Sequence, residues 1–127
     1  MSLRSPMSRV LGLGAAKEGP GHWWSQRVTA VALVVLTLWF AAALLRMGTV
    51  EYGAVIAWID DPVTAVLLAL LIGALVYHSQ LGVQVVIEDY VHGGAKVVTL
   101  LVVNFLHVVA GALGIFAVLR IAFGGAA

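Results

Sequence analysis

The sequence predicts an all-α membrane protein with three transmembrane helices, and three observations support that fold class. The chain is 62% hydrophobic and only 10% charged, whereas a soluble domain carries about 25% charged residues. Three apolar segments, at about 28–45, 63–87 and 97–119, contain no Asp, Glu, Lys or Arg, and about 20 such residues cross a bilayer as a helix. None of them alternates polar and apolar residues as a membrane β-strand does, so only helices satisfy the backbone inside lipid.

The first element is a predicted cytoplasmic arm of residues 1–26, followed by a single anchor domain of residues 27–127. The apolar run VLGLGAA in this arm is short and glycine-rich, unlike the hydrophobic region of a secretory signal peptide. We therefore expect the first transmembrane helix, at about 28–47, to act as an uncleaved signal.

The second transmembrane helix is predicted at about 63–87, with recognisable signals at both ends. Two acidic residues and a proline at 60–62 favour a helix start, because carboxylates stabilise the positive end of the helix dipole and proline suits the first turn. A glycine pair at 93–94 is predicted to end this region and permit a turn. The third helix is predicted at about 97–120, and residues 46–62 are interpreted as a connection.

The distribution of Lys and Arg predicts the orientation, because these residues concentrate on the cytoplasmic side of a membrane. Two of the seven, Arg46 and Arg120, fall on one predicted face. The others fall on the opposite face, and they are Arg4, Arg9, Lys17, Arg27 and Lys96. The N-terminus is therefore predicted to be cytoplasmic.

Composition also excludes several classes of function. There is no cysteine, so the chain has no thiolate ligands for zinc or an iron–sulfur cluster. Its basic residues are scattered, whereas a nucleic-acid footprint needs a basic cluster. The cytoplasmic segments contain no phosphate-binding glycine loop and no nucleophile–base constellation, so the chain is not expected to be an enzyme by itself.

Polar side chains inside the second predicted helix mark a candidate site, because such groups are costly in lipid. His78 lies within the apolar segment, and Gly82 lies about 40° further round the helix. A glycine there leaves a recess beside the imidazole, in which a porphyrin could pack while its iron binds the ring nitrogen. The alternative is that His78 forms a hydrogen bond to a neighbouring helix and Gly82 permits close packing. His107 and Asn104 are interpreted as hydrogen-bonding groups between helices.

Asp89 and Tyr90 follow His78 by about 16–18 Å along the helix axis, which carries the chain to the predicted cytoplasmic interface. A phenol can donate a hydrogen bond to a carbonyl oxygen, and a nearby carboxylate can orient it or relay a proton. Arg27, the last charge before the first helix, lies at the same level and could bind a polar headgroup or a heme propionate. The alternatives are an interfacial tyrosine anchor, a helix-end carboxylate and an ordinary positive-inside arginine.

Two stretches of the sequence resemble a known family. The stretch HWWSQRVTA and the pattern H-x3-G-x6-D-Y-V, which closes the second helix, resemble the hydrophobic membrane anchor of succinate dehydrogenase, the D-type anchor of respiratory complex II. The resemblance covers about residues 22–121. The partner C-type anchor is known by H-R-x-S-G and H-x3-G-x-R-H stretches, and this sequence contains neither.

The resemblance implies a cofactor, a substrate and three protein partners. The chain would form half of a helical bundle that binds one heme b, together with a second membrane anchor of the C type. An iron–sulfur subunit and a flavoprotein subunit would dock on its inner face. His78 would be an axial ligand of the heme iron, with Gly82 and Arg27 beside the cofactor. Tyr90 and Asp89 would form part of the ubiquinone-reduction site.

The activity implied by this resemblance is that of a succinate dehydrogenase (quinone) subunit, which is not catalytic alone. Such a subunit serves electron transport and the tricarboxylic acid cycle in the bacterial inner membrane. Two alternatives stay open at this point. One is the anchor of a fumarate reductase, and the other is a non-catalytic assembly or accessory protein in which His78 only packs helices.

Overall fold

The computed structural model describes residues 19–124, and this part of the chain forms four α-helices. They are α1 (Gly19–Met47), α2 (Tyr52–Asp60), α3 (Pro62–Tyr90) and α4 (Gly94–Gly124). Among the described residues, α1, α3 and α4 are long and apolar enough to cross a membrane. The prediction of an all-α membrane protein with three transmembrane helices is confirmed.

The three long helices extend beyond the apolar segments that predict them. They contain 29, 29 and 31 residues. At a rise of about 1.5 Å per residue they are about 43–47 Å long, which is close to the thickness of a bilayer with its headgroup regions. Residues 1–18 of the predicted arm lie outside the described residues, and residues 19–26 form the first turns of α1.

A short helix, α2, occupies part of the segment that the sequence analysis interprets as a connection. Its residue Trp58 stacks against Trp39 of α1, with ring centroids 6.0 Å apart and planes at 25°. Phe40 lies on the same indole, also at 6.0 Å and tilted by 45°. Aromatic pairs at such separations contribute about 0.5–1.5 kcal/mol beyond their buried area. The connection therefore packs as a helix against the end of the bundle.

The start of α3 follows the predicted signal. Pro62 occupies the first turn of the helix, and Asp61 is the N-cap residue. The backbone N–H of Thr64 donates to Asp61 Oδ2 at 2.8 Å. Hydrogen bonds from the backbone and side chain of Thr64 hold the pKa of the Asp61 carboxyl below its usual value. The acidic residue and the proline thus start the helix as expected.

The turn between α3 and α4 is short and uses one glycine in a left-handed conformation. Val91 leaves the helix with an extended backbone, and its N–H donates to Ile87 O at 2.9 Å. Gly93 has a φ of +68°, a conformation that costs glycine little because it has no Cβ. The predicted turn at residues 93–94 is confirmed, and α4 begins within it.

Helix α3 lies between α1 and α4 and packs against both. Two glycines bring α4 close to α3. A Cβ added at Gly111 would lie 3.4 Å from Val76 Cγ1, and one added at Gly114 would lie 3.2 Å from Ile72 Cγ2. Small residues at such positions let membrane helices approach closely, which increases van der Waals contact.

The outside of the bundle is covered by large apolar side chains. Leu38 and Phe105 are each 68% exposed, and Leu45 is 84% exposed. Soluble monomers rarely expose continuous apolar surface of this kind. These faces therefore suit lipid or other membrane subunits, as expected of a multi-pass membrane protein.

Candidate functional site

The His78 side chain is held between α3 and α1. Its Nδ1 lies 3.0 Å from Thr29 Oγ1, and its Nε2 lies 3.3 Å from Gln26 Nε2. Gln26 and Thr29 are three positions apart in α1, so they lie on nearly the same side of that helix. The imidazole is half-buried. One face of α1 therefore provides a polar partner for each ring nitrogen of His78.

The hydrogen-bond pattern around His78 favours one tautomer. Thr29 Oγ1 lies 2.8 Å from Ser25 O and 3.2 Å from Gln26 O, so its single hydrogen points to these carbonyls. In the tautomer that carries the proton on Nδ1, the hydroxyl oxygen accepts a hydrogen bond from His78. His78 Nε2 is left with a lone pair, which accepts from the Gln26 amide N–H. In this tautomer the neutral ring presents an unprotonated Nε2.

A recess opens between α1 and α3 next to Gln26, and His78 itself is not among the residues that line it. Its volume is about 560 Å³. A Cβ added at Gly82 would lie 3.7 Å from Gln26 Nε2, so the missing side chain helps to form the space. The residues around the recess are His22, Trp23, Gln26, Gly82, Gln84, Val85 and Glu88. The Gln26 amide thus both lines this recess and contacts His78 Nε2.

Two polar atoms in this region lack partners. His22 Nε2 and Gln26 Oε1 are buried without a hydrogen bond among the described residues. A buried polar atom without a partner costs about 1–3 kcal/mol. The recess next to Gln26 is therefore lined by polar groups that a bound molecule could satisfy.

Of the residues predicted to bind heme, His78 is the one that could ligate the iron from this chain. An iron ligand needs an unprotonated ring nitrogen, which His78 would present at Nε2 when the proton is on Nδ1, and an open face, to which Gly82 contributes. A neighbouring-helix hydrogen bond, the alternative interpretation of His78, is also present. Within residues 19–124 there is no group of three or more His, Asp or Glu residues that could hold a metal ion by themselves.

Arg27 follows Gln26 in α1 and is not among the residues that line the recess. Its side chain is exposed, and its guanidinium carbon lies 5.3 Å from the centre of the Trp23 ring. A cation–π contact of this kind contributes about 0.5–1 kcal/mol at an exposed site. Arg27 is therefore free to rearrange toward an anion at the polar end of α1.

Asp89 and Tyr90 occupy the last two positions of α3. Both are exposed, and Tyr90 is 80% exposed. Neither side chain makes a hydrogen bond within the described part of the chain. Tyr90 lies about 18 Å from His78 along the helix axis, so α3 places the two residues at separate levels of the bundle.

A second group of polar side chains joins α3 to α4. Gln80 Nε2 donates to Asn104 Oδ1 at 2.9 Å and to Gln84 Oε1 at 3.1 Å. Ser79 Oγ lies 3.2 Å from His107 Nε2, while the other ring nitrogen of His107 lies 2.8 Å from Val103 O. The interpretation of Asn104 and His107 as groups that link helices matches these contacts.

Sequence reasoning missed Gln26 and Thr29, which are the direct partners of His78. The available signal was their spacing: two polar residues three positions apart interrupt the start of an apolar helix. Such residues lie on one face of a helix. Only the packing of α1 against α3 shows that this face meets His78.

Comparison with known proteins identifies similar sequences. The family described as succinate dehydrogenase/fumarate reductase transmembrane subunit matches residues 1–119. The succinate dehydrogenase hydrophobic membrane anchor subunit of Rickettsia bellii (strain RML369-C) is 34% identical over 69% of this chain and 70% of its own length. The protein of the same name from Paracoccus denitrificans is 34% identical over 72% of this chain and 71% of its own length. The succinate dehydrogenase membrane anchor subunit of Reclinomonas americana is 30% identical, over 67% and 73% respectively.

Proposed function

Because the chain belongs to the succinate dehydrogenase/fumarate reductase transmembrane subunit family, we propose that it is a membrane anchor subunit of a succinate:quinone oxidoreductase. In this role it binds heme b together with a C-type anchor. It also contributes to a site where ubiquinone is reduced by electrons from the iron–sulfur subunit. The names of the similar proteins support succinate oxidation as the direction.

The observation that carries this proposal is the environment of His78. His78 Nε2 contacts the Gln26 amide, which lines a recess of about 560 Å³, and His78 Nδ1 lies 3.0 Å from Thr29 Oγ1. A heme iron needs an unprotonated ring nitrogen as its axial ligand. When bound, the heme supplies a one-electron redox centre inside the membrane.

The residues around His78 have distinct tasks in this proposal. Gly82 leaves room for the flat macrocycle, because any larger side chain would approach Gln26. Gln26 must turn away from Nε2 for an iron to take its place. Arg27, at the polar end of α1, neutralises a propionate or a quinone headgroup. The partner anchor would supply the residues that hold the other side of the heme.

The quinone part of the proposal depends on the end of α3. Tyr90 is exposed and has no partner among the described residues, so its phenol is available to donate a hydrogen bond to a quinone carbonyl. Asp89 precedes it and orients the phenol or relays a proton to it. Reduction of a quinone to a quinol consumes two electrons and two protons, and His92 in the following turn gives these protons a route toward water.

The location of the site follows from the same reasoning. A quinone keeps its isoprenoid tail in lipid and brings its polar ring to the membrane edge, where Tyr90 lies. The excess of Lys and Arg on the N-terminal side supports a cytoplasmic N-terminus in the bacterial inner membrane. The flavoprotein and iron–sulfur subunits then dock on the face that carries Asp89 and Tyr90.

The experiment compares two electron acceptors in the purified complex. Tyr90→Phe removes only the phenolic hydroxyl, and a hydrogen bond of about 0.5–1.5 kcal/mol predicts a roughly 2- to 13-fold lower kcat/KM for quinone reduction. Succinate oxidation with an artificial dye, which takes electrons before they reach the membrane, should keep its wild-type rate.

Tyr77→Phe is the matched control, because Tyr77 lies on the same helix more than three turns before Tyr90. It should leave both assays unchanged. Equal losses with quinone and dye in Tyr90→Phe would contradict the quinone assignment. The same quinone defect in Tyr77→Phe would contradict it as well.

A further inference from the structure

We propose that Thr29 is a positioning residue for the heme, which acts by holding His78 in the tautomer and orientation that binds iron. This inference rests on the proposed function, since it concerns the heme ligand. It goes further, because it assigns a role in the cofactor site to a residue on the neighbouring helix.

The first argument is that Thr29 is placed to accept from His78. Its hydroxyl hydrogen is used by the Ser25 and Gln26 carbonyls, which lie in the preceding turn of the same helix. This local bond fixes the rotamer of Thr29 and aims an oxygen lone pair at His78 Nδ1, 3.0 Å away. The proton is thereby kept on Nδ1, and Nε2 stays free for a metal.

The second argument is that this contact is the only one that Nδ1 has within the described residues. An imidazole inside a membrane cannot obtain a replacement from bulk water. Without the hydroxyl oxygen, the proton would move to Nε2, where Gln26 Oε1, now buried without a partner, could accept it after the amide rotates. That tautomer cannot bind iron through Nε2.

The third argument concerns the electronic effect on the ligand. A metal-bound histidine that donates its other N–H to an acceptor is a more basic ligand, and loss of such an outer partner typically costs 10- to 100-fold in metal affinity. A more basic ligand favours ferric over ferrous iron. Thr29 should therefore both increase heme retention and lower the midpoint potential of the heme.

The test uses Thr29→Val, which replaces the hydroxyl with a methyl of similar size. In the purified complex, heme transfer to added apomyoglobin should be at least about 10-fold faster than in wild type. The midpoint potential should rise, by ~59 mV if the preference for ferric iron falls tenfold. Thr29→Ser keeps the hydroxyl and should restore both values.

Thr37→Val is the matched control on the same helix. The Thr37 hydroxyl also donates to a carbonyl of the preceding turn, Leu33 O, and it makes no hydrogen bond to His78. This variant should behave as wild type. A wild-type potential and transfer rate in Thr29→Val would overturn the inference. Equal changes in Thr37→Val would overturn it too, because the effect would then be general.

Two further measurements separate the inference from the function on which it rests. His78→Ala should lose the heme; if it keeps a wild-type heme, the heme assignment fails, and the inference fails with it. If Thr29→Val does not assemble, the ¹⁵N chemical shifts of His78 in wild-type complex from heme-deficient cells report the tautomer. A proton on Nδ1 supports the inference, and a proton on Nε2 overturns it.

Discussion

The contact between Gly114 and Ile72 predicts a large effect for a small substitution. A Cβ at Gly114 would lie 3.2 Å from Ile72 Cγ2 and 3.4 Å from its Cδ1, while carbon atoms pack best at about 3.5–4.0 Å. Cγ2 is attached directly to the Ile72 Cβ and cannot move without a change in χ1 or in the backbone. Gly114→Val adds this Cβ and two further methyl groups attached to it, so α3 and α4 must separate locally.

The size of the effect follows from the balance of two terms. Overpacking of a well-packed contact costs about 1–3 kcal/mol. The gain from replacing a helical glycine with valine is smaller, a few tenths of a kcal/mol on propensity scales. Gly114→Val should therefore lower the free energy of unfolding by about 1–3 kcal/mol.

The assay is unfolding of the detergent-solubilised chain by titration with sodium dodecyl sulfate, followed by far-UV circular dichroism. Gly73→Val is the matched control, because Gly73 lies within α3 and a Cβ there would meet nothing within 4 Å. Gly73→Val makes the same change in helix propensity as Gly114→Val, without the clash with Ile72. It should be neutral or slightly stabilising.

A double-mutant cycle tests the contact itself. Ile72→Ala removes the Cγ2 and Cδ1 atoms that crowd Gly114, so Gly114→Val should cost less in that background. Contacting residues typically couple by about 0.5–3 kcal/mol. Wild-type stability in Gly114→Val, or no coupling to Ile72→Ala, would refute the close packing of α3 on α4.

Two more predictions use the same stability assay. Gln80→Leu removes the donor to both Asn104 and Gln84, so unfolding should become easier by about 1–2 kcal/mol; unchanged stability would show that the two acceptors find other partners. Asp61→Ala should destabilise the start of α3, whereas Asp61→Asn keeps a capping oxygen and should stay close to wild type. Because the pKa of Asp61 is lowered in the folded chain, its contribution is complete above the unfolded value of about 3.9. The contribution is lost as the pH falls through the folded pKa, so the difference between wild type and Asp61→Ala should shrink in acid; a difference that does not change with pH would contradict the cap.

The three long helices could be predicted from sequence because lipid imposes a strict rule on length and polarity. Their ends could be predicted where a chemical signal exists, as at Asp61 and Gly93. Helix α2 was missed because its nine residues are too few for a span, and its flanking segments resemble a loop. It packs through Trp58 on the aromatic residues of α1 and also contacts α3 and α4, and local sequence does not contain these tertiary contacts.

The candidate site was only partly accessible to sequence reasoning. His78 and Gly82 are related by spacing on one helix, and a periodic pattern is enough to find them. Thr29 and Gln26 are about fifty residues away in the chain, and their role depends on how α1 rotates against α3. Asp89 and Tyr90 were placed correctly at a helix end by counting, but what they contact depends on partners outside this chain.

The most direct test of the proposed role is a reduced-minus-oxidised visible spectrum of the tagged complex purified in mild detergent. Wild type should show a b-type heme, and His78→Ala should lose or shift that signal. His107→Ala should keep it, because both ring nitrogens of His107 are engaged within α3 and α4. An intact complex without heme, or an unchanged spectrum in His78→Ala, would contradict the assignment of His78 as a heme ligand.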